Sequence, residues 1–236
     1  MNKVVIWDLD GVLADTAEAH FRAWVSALAQ WEIPLDRSTF ERLFGMNNRD
    51  VLTELLGRPP APGELGAIAG RKEYLFRLEA QRIAHPMPGA LRLLTDLEGD
   101  GWSQAIASSA PQANVDLLVD KFGIRERFQV ILSGDAVSAG AVLTAGQGRP
   151  DPALFLRAAD RLDVPPSRCV VVQDAPAGVE AARRASMACI AVATTRPRAA
   201  LEASDLVFDD LTQPTPHTFS LLIDRSSPQK DRTLQT

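Results

Sequence analysis

Short apolar runs alternate along this chain with longer stretches in which apolar residues return every three or four positions. The short runs are Val4–Trp7, Gln104–Ala107, Gln129–Leu132, Cys169–Val172, Cys189–Ala193 and Asp205–Phe208, and each predicts a strand. From Gln104 onward they alternate with amphipathic segments at Pro111–Phe122, Asp151–Leu162, Pro176–Ser186 and Pro197–Ala203, which predict helices. Strand–helix alternation of this kind predicts an α/β fold: a three-layer, Rossmann-like core with a mainly parallel sheet. Pro111, Pro152 and Pro176 stand near helix starts, where a missing N–H costs little.

Between the first two strands the pattern stays helical. Ala17, Phe21, Trp24, Val25 and Leu28 share one face, and further helices are predicted over Ser38–Phe44, Arg49–Leu56 and Gly63–Ile83. The Gly/Pro-rich run Gly57–Gly63 is a break, and His85-Pro86-Met87-Pro88-Gly89 marks the return. The expected organisation is a core of 1–14 and 87–223, an inserted helical cap of 15–86, and a polar, mobile tail of 224–236.

Composition narrows the classes. A net charge of −5 offers no basic footprint for nucleic acid, so an anionic ligand would need local cations or a metal. No apolar run approaches the ~20 residues of a membrane span, and the N-terminus reads as a strand, not a signal peptide. Two cysteines, Cys169 and Cys189, both in apolar runs, suit buried thiols in a reducing cytoplasm. A cytoplasmic monomer or weak homo-oligomer is expected.

The chemistry gathers at strand ends. The first strand runs into Asp8-Leu9-Asp10-Gly11, which puts two carboxylates at the carboxyl edge of a sheet, where open α/β folds bind ligands. Two such groups can divide nucleophilic attack and proton transfer between them. Ser108 and Ser109 follow the second strand and precede a helix, a place for an anion. Gly148-Arg149-Pro150-Asp151-Pro152 precedes another helix, and Gln173-Asp174-Ala175 ends the Val170–Val172 run.

These four segments, in this order, resemble the motifs of the haloacid dehalogenase-like phosphotransferases. The β-phosphoglucomutase-like and sugar-phosphate phosphatase branch is the nearest in pattern. The resemblance implies Asp8 as nucleophile, Asp10 as acid/base, and phosphate binding by Ser108, Ser109 and Arg149. It implies Mg²⁺ held by Asp8, Asp10 through its carbonyl, Asp174 and Gln173. In the cap it implies that Thr16 and His20 assist at the site and that Arg49 grips a second phosphate. The chain departs twice from that pattern: Arg149 stands where a lysine is usual, and Gln173 where a carboxylate is usual.

The expected activity is a Mg²⁺-dependent phosphatase for a small phosphorylated metabolite, of the sugar-phosphate kind, through an aspartyl-phosphate. A hexose-phosphate mutase is the alternative on the same scaffold. A catalytically weakened phosphate-binding or regulatory protein is the alternative of another class. Dehalogenase chemistry is disfavoured, since it needs neither the second Asp nor a metal.

Overall fold

The computed structural model describes residues 2–135 and 151–226. Its elements in chain order are β1 (Val4–Trp7), β2 (Ala14–Asp15), α1 (Ala17–Leu28), α2 (Arg37–Leu43), α3 (Asn48–Leu56), α4 (Pro62–Ile83), β3 (His85–Pro86), α5 (Ala90–Gly99) and β4 (Ser103–Ala107). They continue with α6 (Gln112–Lys121), β5 (Val130–Leu132), α7 (Ala153–Arg161), β6 (Cys169–Gln173), α8 (Pro176–Arg184), β7 (Ala188–Val192), β8 (Leu206–Phe208) and α9 (Pro216–Ser226).

The main sheet has the order β5-β4-β1-β6-β7-β8, with every pair parallel. Strand β1 is central, between β4 and β6, and its four residues are fully buried. This explains the unbroken apolar runs: a parallel strand covered on both faces has no polar side to show. Successive side chains leave by opposite faces. Val5, Trp7, Val170 and Val172 join α5, α6 and α9 in one apolar layer. Val4, Ile6, Cys169 and Val171 join α7 and α8 in the other.

The helices α1–α4 lie between β2 and β3, which pair antiparallel as Ala14↔Pro86 and Asp15↔His85. They have a cluster of their own, with Trp24, Leu28, Phe40, Leu43, Val51, Leu52 and Ile68 buried together. Helix α4 also reaches the core layer through Phe76 and Ala80.

Three expectations need adjustment. The segment Pro197–Ala203 contains a short 3-10 turn, Arg198–Leu201, not an α-helix. Helices α5 and α9 add to the set of core helices, and α9 runs on through Ser226, past the expected start of the tail at 224. No helix among the described residues is long and apolar enough to cross a membrane.

Candidate active site

The chain leaves β1 and turns at once. The Leu9 carbonyl accepts from the amides of Val12, Leu13 and Ala14, and Gly11 N–H donates to the Ala14 carbonyl at 2.9 Å. Gly11 sits at φ +77°, a region an L side chain rarely adopts. This turn fixes Asp8 and Asp10 over the sheet edge. Asp8 is anchored twice: its N–H donates to the Val172 carbonyl at 3.1 Å, and its Oδ1 accepts from Leu9 N–H at 2.7 Å.

Asp10 is held from the helical insertion. Thr16 Oγ1 donates to Asp10 Oδ1 at 2.6 Å, and His20 Nε2 lies 3.3 Å from the same oxygen. Burial works to raise the Asp10 pKa, but the bonds from His20 and Thr16 prevail and hold it below the usual carboxylate value. His20 stacks on Phe76, with ring centroids 3.9 Å apart. Burial and the nearby Lys72 charge lower its pKa, against the pull of Asp10. A neutral imidazole beside an ionised Asp10 is the consequence.

Asp174 follows β6 and accepts a hydrogen bond from Thr195 Oγ1 at Oδ2. Burial, then the Asp174 charge, pushes the Asp8 carboxyl up to about 8. Burial also pushes Asp174 up to about 6, against the Thr195 bond. Two desolvated carboxylates, Asp8 raised further by the Asp174 charge and Asp174 by the Asp10 charge, are a donor set suited to a hard divalent cation. No trio of His, Cys, Asp and Glu side chains among the described residues forms a metal cluster. A six-oxygen shell here would therefore need backbone carbonyl or water oxygens beside these two carboxylates.

Asp8, Asp10, His20, Ser109, Gln173 and Asp174 line a single cavity of about 560 Å³. Thr16 stands behind it through its bond to Asp10. Ser108 is buried next to Ser109, and its Oγ accepts from Ala110 N–H at 3.1 Å, the job of a loop-capping serine. Gln173 does not carry its acceptor oxygen freely. Its side chain hydrogen-bonds Asp8, and a Cβ at Gly178 would meet its Oε1 at 1.9 Å. Arg49 is exposed at the start of α3 and is not part of the cavity wall. Arg149 and the loop before it lie outside the described residues. Asp135 is at the cavity rim and accepts from Gln112 N–H at 2.8 Å.

Sequence reasoning missed Lys72 and Glu73 of α4. Lys72 is buried, donates to Glu73 Oε1 at 2.9 Å and lies 5.4 Å from the ring centroids of both Trp24 and Phe76. Glu73 also accepts from Asn48 at 2.9 Å and from Asn114 of α6 at 2.6 Å. The signal was present: Ile68, Lys72, Phe76 and Ala80 form one buried line of α4, and a lysine on such a line needs a reason. Arg196 was missed too. Its guanidinium, next to Thr195, donates to the carbonyls of Arg42 at 3.2 Å and Phe44 at 2.6 Å, at the end of α2.

Residues 2–186 match the model of the haloacid dehalogenase-like hydrolases. The chain is 33% identical over 202 residues to a beta-phosphoglucomutase of Bacillus subtilis, covering 83% of this chain and 85% of that protein. It is 27% identical to a phosphorylated carbohydrates phosphatase of Thermotoga maritima, covering 78% and 82%. Among solved structures it is similar to CbbY of Rhodobacter sphaeroides in complex with xylulose-(1,5)bisphosphate. That match has a TM-score of 0.77 and 25% identity, and covers 90% of this chain and 96% of that one.

Proposed function

The chain belongs to the haloacid dehalogenase-like hydrolase family, and we propose that within it this protein is a Mg²⁺-dependent phosphatase for a small phosphorylated metabolite of the sugar-phosphate class. The observation that carries this reading is the division of environment between two carboxylates two residues apart. Asp10 is kept ionised by His20 and Thr16, while Asp8 faces Asp174 across a desolvated floor.

In this reading 1–14 and 87–223 form the catalytic core and 15–86 the cap. An Asp8 oxygen attacks phosphorus and the ester P–O bond breaks, leaving an aspartyl-phosphate. Asp10 gives the departing alkoxide a proton, which it must first have taken up on substrate binding. It then receives a proton from water as that water attacks phosphorus and frees Asp8. Thr16 and His20 hold Asp10 in place through both steps. Ser109, which lines the same cavity as Asp8, and the start of α6 would supply donors to the phosphoryl oxygens, and Arg149 is proposed as their cation. Asp8 and Asp174, with the Asp10 carbonyl, would hold Mg²⁺, which supplies positive charge to the nucleophile and the phosphoryl oxygens. Gln173 serves better as a donor to Asp8 than as a metal ligand, given where its Oε1 stands.

A hexose-phosphate mutase is the second reading, supported by the Bacillus subtilis relative. The deciding experiment is phosphate release from a panel of sugar and polyol phosphates, with and without Mg²⁺. A coupled assay for β-glucose 1-phosphate to glucose 6-phosphate with a bisphosphate primer runs beside it. Release that disappears in Asp8→Asn supports the phosphatase, and isomerisation without net release supports the mutase. No turnover of any ester leaves the binding-protein alternative.

A further inference from the structure

We propose that Thr195 and Arg196, adjacent in the loop after β7, are positioning residues that couple the acid floor to the end of α2. The hold on Asp174 and the hold on the Phe44 segment strengthen each other. The metal half of this inference rests on the reading of Asp174 as a Mg²⁺ ligand given above.

Thr195 reaches the floor. Its hydroxyl donates to Asp174 Oδ2 and lies 3.2 Å from the Asp174 carbonyl, so it meets that residue by side chain and main chain together. Oδ2 is also packed against Gly11, where a Cβ would come within 2.2 Å of it. One oxygen of Asp174 is thereby committed to the protein, and the carboxylate keeps one orientation. Thr194, the residue before, donates to the Gly11 carbonyl at 2.5 Å.

Arg196 reaches the inserted helices. Helix α2 ends at Leu43, and the last carbonyls of a helix have no partner within it. The Arg196 guanidinium donates to three carbonyls there, those of Glu41, of Arg42 at 3.2 Å and of Phe44 at 2.6 Å. A planar fork of five donors can serve several carbonyls at once. Its Nη1 also donates to the Thr195 carbonyl at 3.3 Å, which ties the fork to the backbone of the residue that holds Asp174. The Phe44 ring packs edge-on to His20, with centroids 5.6 Å apart, and His20 Nε2 lies 3.3 Å from Asp10 Oδ1. The segment in the grip of Arg196 therefore bears on Asp10 as well.

The two holds share one stretch of backbone. Contacts that fix Arg196 also restrict Thr195, so the second bond costs less conformational entropy than it would alone. Such coupling is reciprocal: whatever steadies Asp174 steadies residues 41–46 by the same free energy. Charge alone predicts the opposite sign for a metal. The Arg196 charge acts on Asp174, and removing a cation should by Coulomb's law favour another cation at that acid.

The test has two arms, neither of which needs turnover. In the first, hydrogen exchange of residues 41–46 is followed without metal in the native chain, in Thr195→Val, which loses the hydroxyl, and in Thr195→Ser, which keeps it. Both partners of that hydroxyl belong to Asp174, yet exchange in 41–46 should be about threefold or more faster in Thr195→Val. Thr195→Ser should exchange like the native chain, and β1, followed as the control for folding, should not change. In the second arm, calorimetric titration with MgCl₂ compares the native chain with Arg196→Ala and Arg196→Lys. Affinity should fall about threefold or more in Arg196→Ala and recover in part in Arg196→Lys. Unchanged exchange in Thr195→Val, or Mg²⁺ bound as tightly or more tightly by Arg196→Ala, overturns the proposal. No Mg²⁺ uptake by the native chain overturns the metal reading of Asp8 and Asp174 instead, and the exchange arm then decides the coupling by itself.

Discussion

Gly11 and Asp174 stand so close that a Cβ at Gly11 would lie 2.2 Å from Asp174 Oδ2. The turn that presents Asp8 and Asp10 is thus fitted directly against the third acid of the site, with Thr195 filling the remaining space at 2.8 Å. Thr194 closes the arrangement by donating to the Gly11 carbonyl at 2.5 Å. Gly11→Ala should push Asp174 away and strain a backbone at φ +77°. The expected outcome is a stability loss of roughly 1–3 kcal/mol and a fall in kcat/KM of about a hundredfold. Thermal unfolding and steady-state kinetics check the two parts separately. Full activity in Gly11→Ala would mean that the turn does not set the Asp8–Asp174 geometry.

Proton linkage gives a second prediction. In the unfolded chain Asp8 and Asp174 ionise near about 3.9. In the folded, metal-free chain burial holds them up to about 8 and about 6. Between these limits the folded state keeps protons that the unfolded state has released, so stability falls as pH rises from about 4 to about 8. In chelator, the unfolding midpoint should be lower at pH 8 than at pH 5, and Asp8→Asn should flatten that slope. Mg²⁺ should raise the midpoint more at pH 8 than at pH 5, because protons compete for the same oxygens. A slope unchanged by Asp8→Asn would remove Asp8 from the account.

Gln173 offers a third. Its side chain bonds Asp8 and its Oε1 faces Gly178. Gln173→Glu adds a carboxylate to an acidic floor and removes the donor to Asp8. Mg²⁺ affinity should tighten by about tenfold, because affinity for hard cations rises with ligand charge. The metal-free protein should lose stability at pH 8. Titration calorimetry and thermal unfolding read these out, and an unchanged affinity would show that a charge at position 173 does not act on the metal.

The fourth concerns Arg196, which ties the loop after β7 to the end of α2. Arg196→Ala frees the carbonyls of Glu41, Arg42 and Phe44. Hydrogen exchange in residues 41–46 should speed up, since local opening becomes easier. KM should rise by about three- to tenfold, with a smaller change in kcat. Unaltered exchange there would make Arg196 a surface residue and no more.

Most of this architecture was legible because burial on both faces of β1 and β6 leaves an unmistakable apolar run. The Asp-x-Asp turn was legible for the same reason: polar residues follow a strand that has none. Strands β2 and β3 were not, since two residues carry no periodicity. The place of Arg49 was misleading because a helix start exposes a side chain as readily as it aims one inward. Arg196 and Thr195 left no trace because their partners are backbone carbonyls and a distant carboxylate, contacts made by chain topology and not by local pattern.

The antiparallel pairing of Ala14 with Pro86 and of Asp15 with His85 closes the 15–86 excursion at its base. The chain thus departs from the sheet and comes back to it at one address. To the sheet, everything between is a single tethered bulge whose length and content do not alter the register of β1 against β4 and β6. A lineage that replaced this bulge with another could exchange what the protein recognises while inheriting the machinery at the strand ends intact.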